Sequence, residues 1–149
     1  MKRWIWALAA LALLWSPKSG VDVGKLRPVQ VVRVAHEGAQ VEIRTDVGAW
    51  GAGMDISAAL EALHEGAEGV VVLDTAEYLL VDREDPALIL EIGERLRPSC
   101  MVCIGDADPE TVGAYLQVHG PETTVSLYRA GERRLSRLEE KDGRLELVS

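Results

Sequence analysis

Phenylalanine is absent from the 149 residues, cysteine occurs only twice, and no long segment repeats. Two cysteines exclude a disulfide-dense scaffold, and the lack of a repeat excludes solenoids and propellers. A hydrophobic share of 48% excludes a disordered chain. Basic charge is also short, with 16 Lys and Arg against 24 Asp and Glu, a net charge of −8. Lys2, Arg3 and Lys18 flank the hydrophobic N-terminus, so from Val21 onward 13 bases face 24 acids, a balance of −11. A chain this acidic repels phosphate backbones, and no nucleic-acid partner is expected. The acids concentrate between Glu65 and Glu110, whereas the tail carries Arg129, Arg133, Arg134, Arg137, Lys141 and Arg144. That asymmetry is either a solvated surface or one that orients a protein partner.

What is present starts with an address. Met1-Lys-Arg precedes the uncharged apolar run from Trp4 to Trp15, followed by Ser16-Pro-Lys-Ser-Gly20. A positive start and an apolar run of about a dozen residues is signal-peptide grammar, and a full membrane span wants about 20. Pro17 and Lys18 stand where a cleavage site wants small residues, and Trp4, Trp6 and Trp15 suit a membrane interface. Residues 1–20 are therefore expected to be a signal peptide or an N-terminal membrane anchor. The protein is then extracytoplasmic, secreted or anchored to the cell membrane. Residues 21–149 form a single domain.

Within that domain, Val29-Gln-Val-Val-Arg-Val-Ala35 and Val41-Glu-Ile-Arg44 read as a strand hairpin around a turn at His36-Glu-Gly-Ala39. A glycine-rich loop over 45–53 follows. Asp55 caps a helix whose inward face is Ile56, Ala59, Leu60 and Leu63. Gly69-Val-Val-Val-Leu-Asp74 and Tyr78-Leu-Leu-Val-Asp82 are short apolar runs, at least one of them a buried strand. Asp85-Pro86 and Asp108-Pro109 each open a helix, because proline at the first helical position loses no hydrogen bond. Cys100-Met-Val-Cys-Ile104 between them is a buried strand. Val125-Ser-Leu127 reads as a strand, and a hairpin turned by Asp142-Gly143 ends the chain. The order β-β-α-β-α-β-α-β implies an α/β (α+β) fold, a mixed β-sheet with about three helices packed on it.

Candidate chemistry is sparse. Gly48-Ala-Trp-Gly51-Ala-Gly53 lies between strand and helix, where phosphate-cradling loops lie, and Asp74 follows at the spacing of a ribose-binding acid. The glycines, however, run in the reverse of the dinucleotide fingerprint, and Asp46 repels phosphate. The other reading of this stretch is a contact surface displaying Trp50. Cys100 and Cys103 have redox or metal spacing but sit in a strand-like run. Positions three apart in a strand face opposite ways, so buried structural thiols are expected. His36, His64 and His119 have no local partner motif, and Ser57, Ser99 and Ser126 lie in no nucleophile elbow. No catalytic residue, metal site or cofactor is expected.

The order of elements resembles the N-terminal domain of the Ger(x)C proteins, the C subunits of bacterial spore germinant receptors. The resemblance lies in the strand pair, the Thr45-containing loop with its glycines, and Tyr78-Leu-Leu-Val-Asp-Arg-Glu84. The helix ending near Arg97, the strand at Cys100 and the Gly105-Asp-Ala stretch extend it. It implies a non-enzymatic, membrane-associated binding module with a sporulation or spore-germination context, and assigns no site residue. That family carries a lipid-modified cysteine after its signal and two further domains, so a stand-alone, non-lipidated version is expected here.

Two readings follow. The first is a binding module of the cell envelope whose protein partner touches Asp46, Trp50 and Asp74. The alternative is a nucleotide- or small-ligand-binding domain using Gly48, Gly51, Gly53 and Asp74.

Overall fold

Strands rich in β-branched residues and helices started by aspartate organise the computed structural model, which describes residues 23–149. β1 (Leu26–Pro28), β2 (Val31–Glu37), β3 (Gln40–Thr45) and β4 (Trp50–Gly53) come first. α1 (Ile56–Gly66), β5 (Val70–Val72), β6 (Tyr78–Val81) and α2 (Pro86–Gly93) follow. β7 (Met101–Ile104), α3 (Pro109–Val118), α4 (Val125–Arg129) and the hairpin β8 (Ser136–Lys141) and β9 (Arg144–Val148) complete the domain. The expected mixed α/β fold is present, with α1, α2 and α3 as the three longer helices among the described residues.

Seven strands form one sheet in the order β4-β3-β2-β6-β7-β8-β9. β2, β6, β7 and β8 run parallel, and β3, β4 and β9 are antiparallel to their neighbours. β1 and β5 make a separate parallel pair. Of the two apolar runs, β6 is the fully buried central strand, while β5 lies outside the main sheet.

Alternation along the strands divides the interior in two. Val32, Val34, Ile43, Leu79, Val81 and Val102 face a core closed by α1, α2 and α4. Val31, Tyr78, Leu80 and Cys103 face the other way, onto Val112 and Leu116 of α3. Each large aliphatic side chain buried this way contributes about 1.5–3 kcal/mol, so the more extensive three-helix side holds most of the fold. The caps work as expected. The carboxylates of Asp55, Asp85 and Asp108 accept the N–H groups of Ala58, Leu88 and Glu110 at 2.8, 3.2 and 3.0 Å. Each such cap is worth about 1 kcal/mol.

Three expectations are corrected. Residues 50–53 are not loop but strand β4, at the edge of the sheet against β3. Val125-Ser-Leu127 is not a strand but the start of α4, capped by the Thr124 hydroxyl, which accepts the Leu127 N–H at 3.2 Å. His36 belongs to β2 rather than to the turn, which is tighter and has Gly38 at φ +63°. The expected signal or anchor at 1–20 lies outside the described residues. Among the described residues no helix is long and apolar enough to cross a membrane.

Candidate contact site on the uncovered sheet

One face of the sheet is only half covered. α3 packs there against β2 and reaches β3 only sparingly, so the outward side chains of β3 and β4 are left largely without a helix above them. Cross-strand register fixes what they present: Arg33 of β2 lies opposite Arg44 of β3, which lies opposite Trp50 of β4. Two arginines directly opposed on one face repel, and an anion between them is required. Glu42 supplies it. Its carboxylate lies 3.3 Å from Arg33 Nη1 and receives Arg44 Nε at 2.6 Å and Nη2 at 3.3 Å. Arg33 also pairs with Asp106, in the segment leading to α3. Glu42 is one of the few buried polar side chains among the described residues, and its burial is tolerated because both of its oxygens are bonded. Hydrogen bonding to Glu42 and the charge of Glu42 raise the Arg44 pKa above the ordinary arginine value.

A cleft of about 550 Å³ opens above this row, walled by Trp50 on one side and by Asp108 and Glu110 of the α3 start on the other. Trp50 is 59% exposed, far more than the packing of a sheet requires. A second depression of about 630 Å³ runs along the outer edge of β4, floored by Ala62, Gly66 and Ala67 at the end of α1.

The residues singled out in the sequence separate. Gly48 and Trp50 line both depressions, and Gly51 lines the edge groove. Gly51 and Gly53 face α1: a Cβ on Gly51 would lie 2.3 Å from Ala59 O and Leu63 N, and one on Gly53 2.6 Å from Ala58 Cβ. The lack of a Cβ at those two glycines lets helix and strand touch. Gly48 has φ +78° and makes the turn between β3 and β4. The Asp46 carboxylate is occupied by backbone, accepting the N–H groups of Gln30 at 2.9 Å and Val31 at 3.1 Å. Asp74 sits in a short helical turn after β5 and lines a different depression with His64 and Arg95, so it does not join Trp50.

The cysteines behave as the strand geometry demands. Both are fully buried and free, Cys100 in the three-helix core and Cys103 on the α3 side. Burial pushes both thiols up to about 12, far from any reactive thiolate.

A cluster that short-range motifs did not reveal lies at the end of β2. His36 Nδ1 is 2.9 Å from Asp82 and Nε2 is 3.3 Å from Asp85, while the His36 N–H donates to Asp82 at 3.1 Å. Burial alone would raise the Asp82 pKa, but the ring and backbone hydrogen bonds and charge of His36 hold it below the ordinary 3.8. The clue in the sequence was the strand ending in Asp82 just before the Asp85 cap; His36, more than 40 residues earlier, comes beside them only through the parallel pairing of β2 and β6. Both ring nitrogens are engaged by carboxylates, and Asp85 also caps α2, so the cluster braces the sheet to that helix. No protein family, characterised protein or solved structure matches the chain.

Proposed function

We propose that the protein is a non-enzymatic interaction module that works outside the cytoplasm, delivered or held by its N-terminal segment. Its uncovered half-sheet is the surface that meets a protein partner in the cell envelope. The observation that supports this reading is the exposed Trp50 standing beside the ion-paired Arg33–Glu42–Arg44 row. An exposed tryptophan on a preorganised polar platform is the composition of an interaction hot spot, where a large ring gains contact area at little entropy cost. The nucleotide reading loses its support because Gly51 and Gly53 serve helix packing and Asp74 lies elsewhere. The resemblance to the Ger(x)C domain extends the proposal to a sporulation or germination setting.

The test is a photo-crosslinking residue at position 50 of the full-length chain, expressed in its host and compared with the same residue at position 127. Leu127 is also exposed but lies on α4. The expected result is one discrete adduct from position 50, none from position 127, and protein accessible to external protease. Cytoplasmic protein, or adducts indifferent to position, overturns the proposal.

A further inference from the structure

The two ends of the sheet are built differently. β9 presents Arg144 and Glu146 along its length, and charges of this kind keep an edge from pairing with foreign strands. β4 reads Trp50-Gly-Ala-Gly53, with no charge, no proline and no bulge. Its free side is also correctly poised. Thr45 N–H bonds Ala49 O at 2.9 Å, which marks a bonded pair. Antiparallel alternation then makes Arg44–Trp50 and Glu42–Ala52 the non-bonded pairs. The N–H and C=O groups of Trp50 and Ala52 therefore point away from β3, with no backbone partner among the described residues.

We propose that β4 receives an extended, basic segment of the partner protein as an eighth strand, its alternate side chains basic and apolar. This rests on the proposed binding role and names its mode and the chemistry of the partner. A strand beside β4 would turn alternate side chains to the two faces. On one face they meet the cleft beside Trp50, where five carboxylates (Glu37, Glu42, Asp106, Asp108, Glu110) stand against two guanidiniums, Arg33 and Arg44. Both arginines are already bound by Glu42 and Asp106, so the field there favours incoming lysine or arginine. On the other face they meet the groove of about 630 Å³, whose lining includes the charged Arg27 and Glu68 but whose floor of Ala62, Gly66 and Ala67 suits small or β-branched apolar groups. A second copy of this chain is the poorer occupant. Pairing β4 with β4 brings two chains of net charge −8 together and sets their acid-rich clefts on the same side of the joined sheet.

The test uses the full-length chain and an acetylated peptide of alternating lysine and valine, read by residue-resolved amide hydrogen exchange. The amides of Trp50 and Ala52 exchange freely alone and become protected at saturating peptide. Ala52→Pro deletes the outward N–H without touching a bond to β3 and weakens binding by about tenfold. Because that variant risks misfolding, a peptide N-methylated at alternate residues, which leaves the protein untouched, must lose affinity to the same extent. A glutamate–valine peptide must fail to bind. Peptide binding with Trp50 and Ala52 still unprotected overturns strand addition while leaving a contact role for Trp50 intact. Protection of the same amides by raising protein concentration alone, with a dimer mass, overturns the basic partner in favour of a second copy. Absence of binding also overturns the proposal, and the position-50 crosslink then decides the interaction role separately.

Discussion

At the scale of single residues, Glu42, Asp46 and Asp82 are each held by donors from another strand or its flank. Glu42 answers two opposed arginines, Asp46 answers two backbone donors at the start of β2, and Asp82 answers His36. Asp82 has a consequence in acid. Its folded pKa lies below the ordinary 3.8, so the fold favours the ionised form. The stability this gives is complete above the unfolded value and is lost as pH falls through 3.8 and then through the lower folded value. Asp82→Asn should cost about 1–2 kcal/mol near neutrality, since it removes a charged acceptor from His36. The variant's acid limb should also be flatter than that of the parent. Urea midpoints taken from about pH 6 down to about pH 2 check both expectations. Parallel limbs in parent and variant would show that Asp82 is not ionised preferentially in the fold.

At the scale of elements, the closest junction is the one between α1 and β4, and Gly51 is its centre. A methyl group there meets backbone atoms of Ala59 and Leu63 at 2.3 Å, which rotamer changes cannot relieve. Gly51→Ala should destabilise the domain by at least about 1–3 kcal/mol, whereas Gly38→Ala, whose Cβ would meet nothing within 4 Å, should cost only the about 1 kcal/mol of its positive φ. Thermal melts of the two variants compare these directly. The same junction shows where sequence pattern reaches its limit. Asp55, Asp85-Pro86 and Asp108-Pro109 announce their helices because a cap is a local device, satisfied within three residues. β2, β3 and β6 announce themselves by alternation or by unbroken β-branched runs. β4 does not, because its glycines answer a helix that follows it in the chain and they lower its local strand propensity. α4 is five residues long, too short for a helical period to separate from strand alternation, and only the burial of Val125 with Tyr128 fixes its face. The uncovered row was half legible. Trp50 stood out, but its alignment with Arg33 and Arg44 depends on strand register, which no local motif carries.

At the scale of the whole molecule, charge and backbone make separable contributions to the proposed partner strand. The net charge of −8 and the carboxylates around Trp50 draw a basic segment in from a distance. The rim of Trp50 and Ala52 holds it by backbone hydrogen bonds, which do not depend on ionic strength. Salt distinguishes the two. Between about 0.01 M and about 0.15 M salt the screening length falls from roughly 30 to 8 Å, so the association rate of the lysine–valine peptide should fall severalfold. Dissociation should change much less, and the protection of the Trp50 and Ala52 amides in the saturated complex should not change at all. Stopped-flow association and amide exchange at both salt concentrations measure the three quantities. Were the peptide held only by its lysines, dissociation would quicken with salt and the amide protection would vanish with it. A strand paired to β4 keeps its protection pattern while it arrives more slowly, because the field governs the approach and the sheet edge governs the register.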